Sequence, residues 1–264
     1  MIQSQTMLCN APAVFIYSAR MKLSVVIPAY NEEHYIGPCL KAVSREAARS
    51  GHDVEIIVVN NASTDRTAEV AAGFPGVRVV DEPCKGLSRA RNTGCRHAHG
   101  ELIMNVDADC LMPRGYISRV LPHFENPRLA LLSGPFFYYD MPPHAQIGSM
   151  FFYLLQFFPN VIGQRILRLG AIAQGGNFVV RRRMLEKAGG FNTAITFYGE
   201  DTDIAIRLSR VGLVRFSMRL LMRTSARRLL KDGILSAGYF AGINIIFMLF
   251  FGKPLTREHT DVRE

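Results

Sequence analysis

Two carboxylates separated by one residue, Asp107 and Asp109, follow an apolar run from Leu102 to Val106. The run reads as a short buried strand, and residues i and i+2 of an extended segment point to the same side. Both acids can therefore face one crevice. Neighbouring carboxylates repel unless a cation lies between them, and hard divalent cations take oxygen ligands. The chemistry this pattern suits is a Mg²⁺ or Mn²⁺ site holding a diphosphate. On its own, Asp-x-Asp equally describes a polar strand-to-helix turn with an aspartate N-cap and Pro113 set for the first turn of the next helix.

The elements that must position these acids alternate in the first half. Lys22 to Ile27 is β-branched and apolar, a buried strand. Apolar residues Tyr35, Ile36, Leu40, Val43 and Ala47 then recur at helical spacing, and Gly51-His52-Asp53 ends that helix. Val54 to Val59 is a second strand. Ser63 or Thr64 is expected to cap a helix reaching about Ala72. Val77 to Val80 is a third strand, Gly86 opens a helix from Leu87 to about Ala98, and Leu102 to Val106 is the fourth strand. This alternation calls for a mostly parallel sheet with helices on both faces, an α/β fold. The turns Tyr30-Asn31-Glu32, Asn60-Asn61, Lys85-Gly86 and Asp107/Asp109 then fall at one edge, where open α/β sheets bind ligands.

The second half is less regular. Leu129 to Tyr139 reads as one strand. Ile147 to Phe158 is apolar and aromatic, is expected to break at Pro159, and resumes from Val161 to Ile172, as a core helix pair or an interfacial helix. Gln174 to Val180 is a glycine-rich lead into a strand, and a short helix follows to Ala188. Glu200 opens a helix reaching Val211, whose first-turn acids complement the helix dipole. From 215 to 223, apolar and basic residues alternate as in a strand with a basic face.

The 264 residues carry a net charge of +9 and are 48% hydrophobic, which excludes a disordered chain. A mean hydropathy of +0.10 directs attention to membrane contact. Five cysteines with no C-x-x-C pair read as reduced thiols. No G-x-G-x-x-G follows the first strand, and no P-loop, H-E-x-x-H or G-x-S-x-G occurs, which disfavours dinucleotide, P-loop, zincin and serine-hydrolase chemistry. Residues 1–20 have no clear periodicity and read as a disordered extension. Gly233 to Gly252 carries no charge, yet basic residues flank both ends, so the positive-inside rule gives no orientation. A helix or hairpin lying in the cytoplasmic leaflet interface, drawn by the basic strip to anionic lipids, is the expectation; a core helix covering the sheet is the plainer alternative. Nucleic-acid binding is disfavoured, because the basic residues form no recognition motif.

Six motifs in order, Val-Val-Ile-Pro-Ala-Tyr-Asn-Glu (25–32), Val-Val-Asn-Asn-Ala-Ser-Thr-Asp (58–65), Lys-Gly-Leu-Ser-Arg-Ala-Arg-Asn (85–92), Asp-Ala-Asp (107–109), Gly-Gly-Asn (175–177) and Gly-Glu-Asp-Thr-Asp (199–203), resemble the inverting family 2 glycosyltransferases of GT-A fold. The resemblance, which covers roughly residues 22 to 212, implies a single GT-A domain, set here at 21–225; the basic and apolar residues of 226–264 mark a membrane-associating helical segment. It implies that Ala29, Tyr30 and Glu32 line the base and ribose pocket, with Asn61 standing where the family usually has a base-reading aspartate. Lys85 and Arg91 would meet the base or phosphates. Asp107 would lie near the ribose and metal, and Asp109 would ligate the cation. Gly176 and Asn177 would shape the acceptor side. Asp201 stands at the general base's position, with Glu200 beside it. Some relatives carry a late histidine near the metal; here none lies between His144 and His259. The processive Q-x-x-R-W signature is also absent, which favours transfer of a single sugar.

The function so implied is transfer from a nucleotide-sugar, UDP-sugar favoured, to a hydroxyl on a lipid-linked or cell-envelope glycan, at the cytoplasmic face of a membrane. The rivals are a nucleotidyltransferase of the same fold and a non-catalytic, membrane-bound sugar-nucleotide or glycan-binding protein.

Overall fold

The computed structural model describes residues 21–162, 173–195 and 199–233, with a few isolated positions beyond. The expectations for residues 1–20, for 163–172, and for nearly all of 234–264 lie outside the described residues. In chain order the elements are β1 (Leu23–Ala29), α1 (Ile36–Ser50), β2 (Val54–Asn60), α2 (Thr67–Ala72), β3 (Val77–Asp81), α3 (Leu87–His97), β4 (Leu102–Val106), α4 (Tyr116–Val120) running into a 3₁₀ turn, β5 (Leu129–Ser133) and β6 (Phe136–Tyr138). They continue with α5 (Pro143–Ile162), β7 (Asn177–Arg181), α6 (Arg182–Lys187), α7 (Glu200–Ser209), β8 (Leu213–Phe216), β9 (Met222–Thr224) and α8 (Arg227–Asp232).

Seven strands form one sheet in the order β3-β2-β1-β4-β7-β5-β8. Every described pair in it is parallel except those of β7, which runs against both β4 and β5. Strands β1, β4, β5 and β7 are buried along their whole length, because helices cover both faces; that is why they read as unbroken apolar runs. Successive residues serve opposite layers. Val25, Ile27, Met104 and Val106 pack with α1, α2 and α4, whereas Val26, Ile57 and Ile103 pack with α3, α6 and α7. Helix α3 lies so close to the sheet that a Cβ on Gly94 would stand 2.2 Å from Val26 Cγ1.

Several boundaries differ from expectation. The stretch 129–139 is two strands in different sheets, since β6 pairs with β9. Gly134 and Pro135 separate them: Pro135 has no N–H for a ladder, and a Cβ on Gly134 would sit 2.2 Å from the Leu220 carbonyl oxygen. The basic alternation at 215–223 likewise divides into β8 and β9, with a turn closed by Leu220 N–H on Ser217 O. Helix α5 continues through Pro159 instead of breaking there. Among the described residues no helix is long and apolar enough to cross a membrane. The turn leading into α2 is fastened by Asp65, whose carboxylate accepts the Thr67 N–H at 2.9 Å. Ser63 and Thr64 hold the neighbouring turn instead, through Asn31.

Candidate active site

The strand ends meet at one rim. Ala29 is level with Asn60, Asn60 with Asp81, Val106 with Asn177, and Ser133 with both Phe178 and Phe216. Because β7 is reversed, its first residues, rather than its last, reach this rim. The turns after β1 and β2 brace one another: Glu32 N–H donates to Thr67 Oγ1 at 2.7 Å and Glu33 N–H to Asp65 Oδ2 at 3.0 Å. Asn31 and Ala62 hold left-handed backbone, φ 50° and 59°, which marks the turns as tightly constrained.

Of the residues expected to bind a donor, Tyr30 and Lys85 come together, with the Lys85 Nζ 4.0 Å from the Tyr30 ring centroid. Ala29 is 2% exposed: its methyl belongs to the core, and its carbonyl accepts the Asn61 N–H. Asn61 is also occupied. Its Nδ2 donates to the carbonyls of Glu82 and Cys84, and its Oδ1 accepts the Gly86 N–H at 2.8 Å. An amide can make these bonds to both donors and acceptors, whereas an aspartate cannot. Asn61 therefore shapes the 82–86 loop rather than presenting an open edge to a base.

The acids distant in sequence converge on Arg91. Its side chain is fully buried; Nη1 lies 3.2 Å from Glu200 Oε1 and Nη2 lies 3.5 Å from Asp107 Oδ1. Phe178 and Phe191 stand 5.5 and 5.8 Å from the guanidinium carbon. Asp201 Oδ2 accepts the Gly175 N–H at 2.9 Å, and Oδ1 accepts the Thr202 N–H at 2.7 Å. Burial, and next the Asp201 charge, push the Glu200 carboxyl up to about 7 against the pull of Arg91. Burial also raises Asp201, while Arg91 and the Gly175 N–H oppose it. Such a pair is suited to proton transfer near neutral pH.

Gly176 and Asn177 do not shape an acceptor surface in the way expected. Gly176 has φ 72°, and a Cβ there would stand 2.2 Å from the Asp107 carboxyl carbon, so it gives Asp107 room. Asn177 is 1% exposed. Its Nδ2 donates to the carbonyls of Gly134, Pro135 and Leu220 at 2.8 to 3.1 Å, and its Oδ1 accepts from Tyr116. These bonds hold β7 to the neighbouring elements and leave the amide none to offer a substrate.

Asp109 lies on the donor side of the rim. Its Oδ1 accepts from Thr224 Oγ1 at 3.2 Å, and its Oδ2 lies 3.2 Å from Arg227 Nη2. The same Nη2 is 2.5 Å from Glu32 Oε1. Burial raises the Asp109 carboxyl, Arg227 opposes that, and the Asp107 charge adds to it. The two aspartates are thus electrostatic neighbours. Among the described residues no group of three acid, histidine or cysteine side chains forms a ready metal cage. Two carboxylates nonetheless fit a cation that completes its shell with substrate phosphates and water, which is how Mg²⁺ is commonly held.

Arg227, Thr224 and Asp140 were not marked by motif reading. Asp140 accepts from Ser225 Oγ and from the Ala226 N–H, which fixes the approach of Arg227. The one sequence signal was the missing late histidine, which left a gap in the same part of the chain.

A mostly parallel sheet with one reversed strand and its polar turns gathered at one rim defines an α/β domain with a candidate ligand site at that rim. The chain matches the model described as glycosyl transferase family 2 over residues 24–189, and it belongs to that family. It is 32% identical over 119 residues to the uncharacterized glycosyltransferase EpsJ of Bacillus subtilis, covering 44% of this chain and 34% of that protein. It is 39% identical over 108 residues to the dolichyl-phosphate beta-glucosyltransferase ALG5C of Trichomonas vaginalis, covering 37% and 32%. The chain thus spans about a third of the length of these relatives. Its fold is shared with the mannosyltransferase PcManGT of Pyrobaculum calidifontis, solved with GDP-Man and Mn²⁺, at a TM-score of 0.60 and 23% identity, over 79% of this chain and 58% of that one. The fold is GT-A.

Proposed function

We propose that this chain is an inverting, metal-assisted glycosyltransferase that moves a single sugar from a nucleotide-diphosphate-sugar, with UDP-sugar the favoured donor, to an acceptor hydroxyl. The observation that carries this reading is Arg91, buried between Asp107 of the Asp-Ala-Asp turn and Glu200 at the start of α7. Acids far apart in the chain thereby meet around one guanidinium, the convergence that a single displacement would require. Lys85 and Tyr30 would flank the nucleotide, while Asp107 and Asp109 would hold Mg²⁺ or Mn²⁺. With the donor bound, that cation would neutralise charge building on the departing diphosphate. Asp201, fixed by two backbone N–H groups, would take the acceptor's proton as the new bond forms. Glu200 and Arg91 set the charge around it.

A lipid-linked or cell-envelope acceptor is supported by two features. Helix α5 exposes Ile147 (72%) and Phe151 (59%) one turn apart, and the chain is strongly basic. The relative named for dolichyl-phosphate transfer makes a lipid carrier the first acceptor to try. We place the working protein at the cytoplasmic face of an anionic membrane, with the segment after Arg227, which itself belongs to the site, as the contact.

The test is turnover of a panel of nucleotide-sugars with Mn²⁺ and lipid-linked acceptors, with the product anomer read by NMR. Release of a nucleoside diphosphate with inversion is expected. Release of pyrophosphate, or retention at the anomeric carbon, would overturn the reading. Sedimentation with anionic liposomes tests the membrane contact, and loss of binding to neutral liposomes is the expected contrast.

A further inference from the structure

Arg227 begins α8, after the last strand, yet its guanidinium reaches back to the donor side of the rim. One nitrogen, Nη2, meets both Glu32 Oε1 at 2.5 Å and Asp109 Oδ2 at 3.2 Å. The guanidinium carbon is 4.1 Å from the Tyr35 ring centroid. Glu32 is 4% exposed and Asp109 17% on their side chains. The backbone leading to Arg227 is anchored by Asp140, and Thr224 occupies the other oxygen of Asp109. Arg227 therefore bridges two largely buried carboxylates, with Arg228 adding to the positive field at Asp109, in the position where a divalent cation at Asp109 would otherwise supply charge.

We propose that Arg227 is the resident cation of the donor site and exchanges with the divalent metal at Asp109 only when a diphosphate arrives. This rests on Asp109 as a cation ligand. A guanidinium and a divalent cation on the same carboxylate oxygen repel at short range. A diphosphate between them removes the conflict, because a guanidinium fork binds phosphate oxygens well. Glu32 provides the pivot: Arg227 can leave Asp109 and turn to the phosphates while its charge stays beside Glu32. The result is a binding order. Metal alone competes with Arg227 and binds weakly; metal and diphosphate together cooperate. By linkage, each improves the other's affinity by the same factor. Asp109 is thereby kept neutralised before the donor binds, with no loosely held metal needed for that purpose.

The experiment titrates Mn²⁺ alone into the full chain and reads free Mn²⁺ by electron paramagnetic resonance. Wild type, Arg227→Gln, Arg227→Met and Arg227→Lys are compared, with Asp109→Asn added to the Gln variant. Removing the competing charge is expected to tighten Mn²⁺ binding by about tenfold, within the usual range of coupling between two sites. Arg227→Lys should remain near wild type, and Asp109→Asn should abolish the gain. UDP or GDP should tighten Mn²⁺ on wild type much more than on the Gln or Met variants. The proposal is overturned if both neutral variants bind Mn²⁺ no more tightly than wild type. It is equally overturned if the gain survives Asp109→Asn. Failure of both nucleotides to bind in the presence of Mn²⁺ would count against the donor reading, whereas the Mn²⁺-alone ratio judges the exchange separately. Because Gln and Met differ in packing, a folding defect in one leaves the other to decide.

Discussion

Replacing Arg91 with methionine keeps much of the side chain's length and removes its charge. The pair with Glu200, at 3.2 Å and with Glu200 11% exposed, has a gross attraction of about 5 kcal/mol at an effective dielectric of about 20. Asp107 is 34% exposed, so water screens its pair to about 1 kcal/mol at most. Part of this is offset in the wild type, because Arg91 Nε and Nη2 are buried without hydrogen-bond partners. Breaking a buried pair by removing one member costs about 3–5 kcal/mol, and the offset favours the low end, about 3. For a domain of this size that is a fall in Tm of roughly 6–12 °C. The loss must depend on pH. Glu200 has its folded value raised from 4.5 to about 7 with Arg91 present, so the folded state holds its proton longer than the unfolded state. Stability from this group therefore falls as pH rises from about 4.5 through about 7. Without Arg91 the folded value rises further and the decline extends to higher pH. Calorimetry should show the gap between wild type and Arg91→Met widening from pH 5.5 to pH 8.5. A gap under about 2 °C at pH 8, or one equal at both pH values, would refute the placement of charge around Arg91.

Asp201→Asn should leave donor affinity unchanged by calorimetry while transfer falls by about 10²–10⁴-fold, the usual contribution of a general base; full turnover would reject the base assignment. Gly176→Ala places a methyl against the Asp107 carboxylate in left-handed backbone. With the circular dichroism spectrum intact, transfer should drop by about 10²-fold, the scale of a misplaced reacting group, and wild-type rates would show that Asp107 is not positioned by that glycine. Gly94→Ala, with Val26 2.2 Å from the new carbon, should destabilise the domain by about 1–3 kcal/mol in urea unfolding. An unchanged midpoint would contradict the close approach of α3 to the sheet.

The first half of the chain was legible because its strands are buried on both faces and separated by conspicuous turns. Val25 to Ile27 and Ile56 to Val59 announce themselves without knowledge of their partners. The second half was read less well for specific reasons. The bend at Gly134 is dictated by Leu220, which is remote in sequence, so a run of aromatics looked like one strand. Asn177 and Asn61 were given ligand roles by the family resemblance alone; only the fold reveals that their amides are used internally. Arg227 could not be chosen from eight basic residues between 204 and 231, since what distinguishes it is the location of Glu32 and Asp109. Asp107, Glu200 and Asp201 were singled out through the motifs that contain them, Asp-Ala-Asp and Gly-Glu-Asp-Thr-Asp, and the family resemblance those motifs carry.

The reversed strand β7 has a consequence for how the chain finds its register. Sliding it by two residues along β4 and β5 would preserve which side chains face each layer, since the pleat repeats every two residues. Burial of Phe178, Val179 and Val180 therefore barely opposes such an error. The slip would still carry Gly175 roughly 7 Å away from its place beside Asp201. Asn177 removes the ambiguity, since only one alignment lets a single amide meet three carbonyls and a tyrosine hydroxyl at once. A residue with nothing to give a substrate thus acts as the index mark that brings the two halves of the crevice into alignment.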